Sequence, residues 1–110
     1  MEINMLLEGL IEVAGKPKTD FAISMNMTPT GLSKILTGKR IPIMRERNEF
    51  ARQTAEYFAE AIYCPGCYAK LKNIFPLLYD FETMEELRGF LVSAVEYALD
   101  GAFAAENNVD

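Results

Sequence analysis

The stretch from Thr19 to Gly38 reads Thr-Asp-Phe-Ala-Ile-Ser-Met-Asn-Met-Thr-Pro-Thr-Gly-Leu-Ser-Lys-Ile-Leu-Thr-Gly, and its punctuation decides the fold. Two short helices that cross at a sharp angle need a small residue at the crossing, and Ala22 supplies it. The turn between them needs a residue that tolerates the left-handed region, and Asn26 is suited to that. The pair also needs apolar pins, and Phe21, Met25, Met27, Leu32 and Ile35 stand at compatible spacings. The first helix is predicted over Asp20–Met25 with Thr19 as its N-cap. Thr28-Pro29 starts the second: a capping hydroxyl, then proline at the first helical position. It is predicted to run to Thr37, with Leu32, Ile35 and Leu36 facing the core and Gly38 closing it.

Outward from this stretch the chain continues to read as helix. Upstream, Ile3, Leu6, Leu7, Leu10, Ile11 and Val13 recur at helical spacing, which predicts a helix over Met1–Ala14 stopped by Gly15 and Pro17. Downstream, Lys39-Arg40-Ile41-Pro42 is a basic connector. A longer helix follows over Met44–Tyr63, burying Phe50, Tyr57, Phe58, Ala61 and Ile62. Thr54 shares that face, its methyl packing while its hydroxyl bonds back to the preceding turn. Cys64-Pro65-Gly66-Cys67 breaks the chain, a short helix is expected over Tyr68–Phe75, and Leu77–Phe81 is loop or a single turn. Thr83 with Glu86 forms a capping box that opens the last helix, expected to reach about Phe103 before a frayed tail from Ala104. Its stripe is Leu87, Phe90, Leu91, Ala94, Val95 and Ala98. The fold class is therefore all-α, with residues 1–63 as one domain and 64–110 as a helical extension.

Charge is divided along the chain. The total is −5, which argues against a generic polyanion binder. Between Lys16 and Arg52, however, eight basic residues face three acids, a surplus of five positive charges. From Gln53 to Asp110 three basic residues face ten acids. The middle of the chain suits phosphate and the C-terminal half repels it. Half the residues are hydrophobic and a quarter charged, as in a globular protein that buries a core without staples. The most apolar tract, Phe90 to Ala105, carries Glu96 and Asp100 and does not read as a membrane span, and the acidic N-terminus does not read as a signal peptide. The expectation is a cytoplasmic protein with no membrane partner.

With Ala22, the Asn26 turn, Gly31-Leu32-Ser33-Lys34-Ile35-Leu36-Thr37-Gly38 and the basic step Lys39-Arg40-x-Pro42 in place, the chain resembles the phage-repressor-like helix-turn-helix regulators, the Xre family, over roughly Met5 to Ala61. The resemblance implies a sequence-specific binder of double-stranded DNA, a transcriptional regulator of repressor type. In that mode the second helix of the motif lies in the major groove. Base contacts then fall to Thr28, Thr30, Ser33, Lys34 and Thr37, and phosphate contacts to Lys18, Lys39 and Arg40. Lys18 stands near the start of the preceding helix, where backbone amides favour phosphate. The set lacks the Gln, Asn or Arg of strong bidentate readers, so dimerisation or DNA shape is left to supply the rest of the discrimination. A homodimer through the C-terminal helices is the expected assembly.

Plainer roles exist for the same residues. Thr28 caps a helix in any case, Thr30, Ser33 and Lys34 also describe a solvated face, Lys18 an ordinary surface lysine, and Lys39 and Arg40 suit the negative end of a helix. The stripe Leu87 to Leu99 is either core or a dimer seam. Cys64 and Cys67, with no His and no further Cys in the chain, cannot alone complete a four-ligand zinc site. Reduced loop thiols are the simplest reading, and a zinc shared between subunits stays open. No metal or cofactor is expected. No nucleophile stands beside a recognisable base and no glycine-rich phosphate loop is present, so the chain does not read as an enzyme. The alternative to DNA binding is a protein-interaction module, antitoxin-like or inhibitory, or the N-terminal piece of a longer regulator.

Overall fold

The computed structural model describes residues 2–40, 47–63, 70–72 and 81–107, with side chains as far as Ala102. Five α-helices and one short 3-10 turn at residues 70–72 make up the described chain, with no strand among them. The fold is all-α, as expected. Cys64, Cys67, the start expected at Met44 and most of the Tyr68–Phe75 and Leu77–Phe81 segments lie outside the described residues.

Helix α1 spans Ile3–Ala14 and buries the six apolar residues singled out by their spacing. It starts two residues later than expected, because Glu2 is extended (φ −73°, ψ 148°) and offers no side-chain cap. Gly15, at φ 67°, closes it by donating to the Ile11 and Glu12 carbonyls. Helix α2 spans Lys18–Ser24, and here the expected N-cap is corrected: Pro17 occupies the cap position and Thr19 lies inside the first turn. The reason is local. Pro17 sits at φ −61° and ψ 146°, already extended as a cap residue must be, so the helix begins at the next residue. Asp20 in the first turn suits the positive end of the helix dipole.

Helix α3 spans Pro29–Leu36. The Thr28 hydroxyl accepts from the Gly31 amide at 3.0 Å, as its place before Pro29 predicts. A Cβ at residue 31 would stand 3.1 Å from that oxygen, so glycine there leaves room for the cap. Helices α2 and α3 end in the same way. Met27 N–H donates to the Ala22 carbonyl and Asn26 N–H to that of Ile23, with Asn26 at φ 56°. Lys39 N–H donates to the Lys34 carbonyl and Gly38 N–H to that of Ile35, with Gly38 at φ 77°. Both are Schellman closures, each with a left-handed residue just beyond the cap. Asn26→Ala is therefore expected to lower stability by about 1 kcal/mol, with Asn26→Gly at or above wild type. Urea titration of the two variants checks this. Equal losses for both would place the importance of Asn26 in its side chain rather than its backbone.

Helix α4 spans Arg47–Tyr63 and buries Phe50, Ala51, Thr54, Ala55, Phe58, Ala59, Ala61 and Ile62. That face is wider than the expected one, because α4 packs against both α1 and α5. Tyr57, expected in the core, is only half-buried. Thr54 is fully buried as expected, but its hydroxyl donates to the Met25 sulfur at 3.9 Å rather than back along its own helix. Helix α5 spans Met84–Asn107 and runs beyond the expected end near Phe103, since Ala104, Ala105 and Glu106 are good helix formers with no breaker before Asn107. The capping box is present with a shift. Glu86 N–H donates to the Thr83 hydroxyl at 3.1 Å, while the Glu86 carboxylate accepts from Glu82 N–H, one residue before the cap.

Leu87, Leu91, Val95, Ala98 and Leu99 of α5 are buried in the same cluster as Leu6, Leu7 and Leu10 of α1 and Phe21 of α2. The C-terminal stripe thus completes one core shared with the N-terminal helices. At the solvent edge Arg47 clamps α4 to α5, with Nε 2.7 Å and an Nη 2.9 Å from the two Asp100 carboxylate oxygens and a longer contact to Glu96. The Asp100 hydrogen bonds hold the Arg47 guanidinium above its ordinary pKa. No helix among the described residues is long and apolar enough to cross a membrane.

Candidate nucleic-acid interface

Helix α3 divides cleanly between inside and outside. Leu32, Ile35 and Leu36 are buried, and Thr30, Ser33, Lys34 and Thr37 are exposed. The exposed four stand at i, i+3, i+4 and i+7, so they share one side of the helix. No acidic residue lies on α3. The core that holds α3 in place includes Phe21, whose ring lies 4.9 Å from Phe58 and 5.3 Å from Tyr57. Tyr57 in turn donates to Asp20 Oδ2 at 2.6 Å and ties α4 to α2. Burial first, and then the Asp20 bond, pushes the Tyr57 phenol well above its ordinary pKa.

Individual hydroxyls differ in what they have free. Thr28 accepts the Gly31 amide and keeps its proton available. The Thr37 hydroxyl donates to the Ser33 carbonyl at 2.9 Å and lies 3.3 Å from that of Lys34. Its proton is therefore committed to the helix, and toward a ligand it offers a lone pair and a methyl. Thr30 and Ser33 form no side-chain hydrogen bond among the described residues, so both donor and acceptor are free.

The described basic residues around α3 and α4 divide into paired and unpaired, with Lys16 and Lys70 further exposed lysines that carry no ion pair among the described residues. Arg47 is held by Asp100 and Glu96, Arg52 by Glu49, and Lys18 by Glu8. The Arg52 hydrogen bond holds the Glu49 carboxyl below its ordinary pKa. Lys34, Lys39 and Arg40 are exposed and carry no ion pair among the described residues. The Schellman closure of α3 places the backbones of these three at one end of the helix. Both Lys39 and Arg40 amides donate to the Lys34 carbonyl, at 2.9 and 3.2 Å. In such a closure the residues at the Lys34 and Lys39 positions usually make an apolar contact. Here both are exposed lysines, so that apolar contact is not made by residue type.

Lys18 stands apart from this cluster, on the rim of a cleft between α1, α2 and α3. Its pairing with Glu8, like those of Tyr57 with Asp20 and Arg47 with Asp100, has no signal in the sequence. The partners are 10, 37 and 53 residues apart and meet only because the helices pack. Among the described residues no group of three or more acidic or sulfur ligands is placed to hold a metal ion. No family model, no curated protein and no solved structure matches the chain.

Proposed function

We propose that the protein is a DNA-binding regulator that sets α3 into the major groove of double-stranded DNA. The observation that carries this reading is the cluster of Lys34, Lys39 and Arg40 at the end of α3, exposed and without an ion pair among the described residues, in a chain of net charge −5. The described arginines other than Arg40 are paired with acids, whereas Lys34, Lys39 and Arg40 have no ion pair among the described residues. Lys39 and Arg40 act on phosphate and fix the register. Thr30, Ser33 and Lys34 face base edges, where Lys34 donates to guanine and the hydroxyls serve several bases. Thr28 and Thr37 contribute less, since the first caps the helix and the second has committed its proton.

A symmetric dimer belongs to this reading, because one such helix discriminates weakly. Leu87, Leu91, Val95 and Leu99 are used up within the chain, so a pairing surface on α5 would lie on the opposite side, where Tyr97 is 77 % exposed. Regulation by occupancy of an operator is the corresponding mechanism. A second reading, a protein-interaction module without useful DNA affinity, is favoured by one feature: a groove of about 740 Å³ beside Phe81 and Phe90 with Glu82, Glu85 and Glu86 on its walls.

Selection from random double-stranded DNA separates the two. The wild type is expected to enrich a motif that the Thr30→Ala, Lys34→Ala double variant loses, with binding that weakens steeply as salt rises. A palindromic motif would establish the dimer. Enrichment of nothing by either protein at low salt would overturn the DNA reading and leave the acidic groove as the surface to pursue.

A further inference from the structure

We propose that Glu8 is a built-in competitor of the DNA phosphate at Lys18, so that the free protein restrains its own affinity; this rests on the DNA-binding reading above. Lys18 Nζ lies 3.3 Å from Glu8 Oε1, an ion pair that joins α1 to α2. The pair sits on the rim of a cleft of about 110 Å³. Its floor is apolar, formed by Ala22, Leu32 and Leu36, and its α3 wall carries Ser33 and Thr37. Ser33 and Thr37 belong to the exposed side of α3 assigned to DNA and line the same cleft as Lys18, which makes Lys18 the lysine a strand on that side would meet at the cleft. Glu8 and Lys18 are the two charged residues of the cleft. An anion reaching Lys18 therefore meets a carboxylate already in place.

The exchange is physically open. Both side chains are about half exposed (57 % for Lys18 and 46 % for Glu8), and an exposed pair holds its partners weakly. Glu8 also has no packing duty, since α1 buries Ile3, Leu6, Leu7, Leu10, Ile11 and Val13 and leaves Glu8 outside. When phosphate takes Lys18, the displaced carboxylate stays within a few ångströms of it and repels it. Glu8 thus acts twice against binding, by occupying the lysine beforehand and by opposing the phosphate afterwards.

The test uses the whole chain and a fluorescein-labelled, mixed-sequence duplex of roughly 30 base pairs at about 50 mM salt, where phosphate contacts dominate affinity. Glu8→Gln keeps size and helix propensity and removes only charge. It is expected to tighten binding roughly two- to fivefold, a gain that shrinks at higher salt. Lys18→Gln is expected to weaken binding, and in that background Glu8→Gln should gain less than it does alone. Thermal melting of each variant checks that the fold is kept. Unchanged or weaker binding by Glu8→Gln, with the wild type still binding, overturns the proposal. An equal gain in both backgrounds also overturns it, because Glu8 would then repel DNA without competing for Lys18. Absence of binding by every variant, wild type included, would instead bring down the DNA-binding reading itself.

Discussion

Replacement of Phe58 by alanine is expected to lower the free energy of unfolding by about 3–5 kcal/mol. Phe58 is fully buried in the middle of α4. Its ring lies 4.9 Å from that of Phe21 and 5.0 Å from that of Tyr57, the latter nearly edge-on at 84°. Alanine removes the transfer energy of a whole ring and leaves a cavity between α2 and α4. Collapse into it is limited, because Phe21 is held in α2 and the Tyr57 hydroxyl is held by Asp20. Domains of this size are stable by roughly 5–15 kcal/mol, so the loss is a large fraction of the total. Urea or guanidinium titration checks it. A loss under about 0.5 kcal/mol, the size of a typical surface change, would show that the aromatic cluster does not anchor α2.

Leu91→Ala is expected to cost about 2–5 kcal/mol and, more tellingly, to shift one cooperative transition rather than part of one. Leu91 is fully buried in α5, in the cluster that also contains Leu6, Leu10 and Phe21. If α5 completes the core of the N-terminal helices, circular dichroism and tyrosine fluorescence should report the same lowered midpoint. If residues 64–110 formed a unit of their own, the curves would separate and only one phase would move. The second outcome would detach α5 from the helices that carry the candidate interface. The first would make α5 a condition of that interface, although it is far from α3 in sequence.

The α2–α3 pair was legible because its information is local. The left-handed backbone at Asn26 and Gly38, the Thr28 cap and the inward set Leu32, Ile35 and Leu36 each depend on residues within one or two turns. Backbone sterics and hydrogen-bond reach act at that range, so residue type alone decides them. Where two local signals competed, the stronger won. Thr19 is a good capping residue, but the extended backbone of Pro17, with ψ at 146°, makes the proline the cap and starts α2 at the next residue. The candidate base and phosphate contacts came as an exposed set for the same reason, since helical periodicity separates Thr30, Ser33 and Lys34 from the core face.

Pairings between helices were settled at a different level. Nothing within reach of Lys18 along the chain marks Glu8 as its partner, and nothing near Arg47 marks Asp100. The same holds for the wide face of α4, where Ala51, Ala55 and Ala59 are buried in a helix that packs against both α1 and α5. The α5 stripe showed from its spacing that it would be buried, without showing whether the cover was the same chain or a second copy. Periodicity marks which side of a helix avoids water, since burial is favourable in proportion to apolar area and has no direction. Which surface meets it, and therefore which cations are left unpaired to face a ligand, follows from how the helices pack in three dimensions.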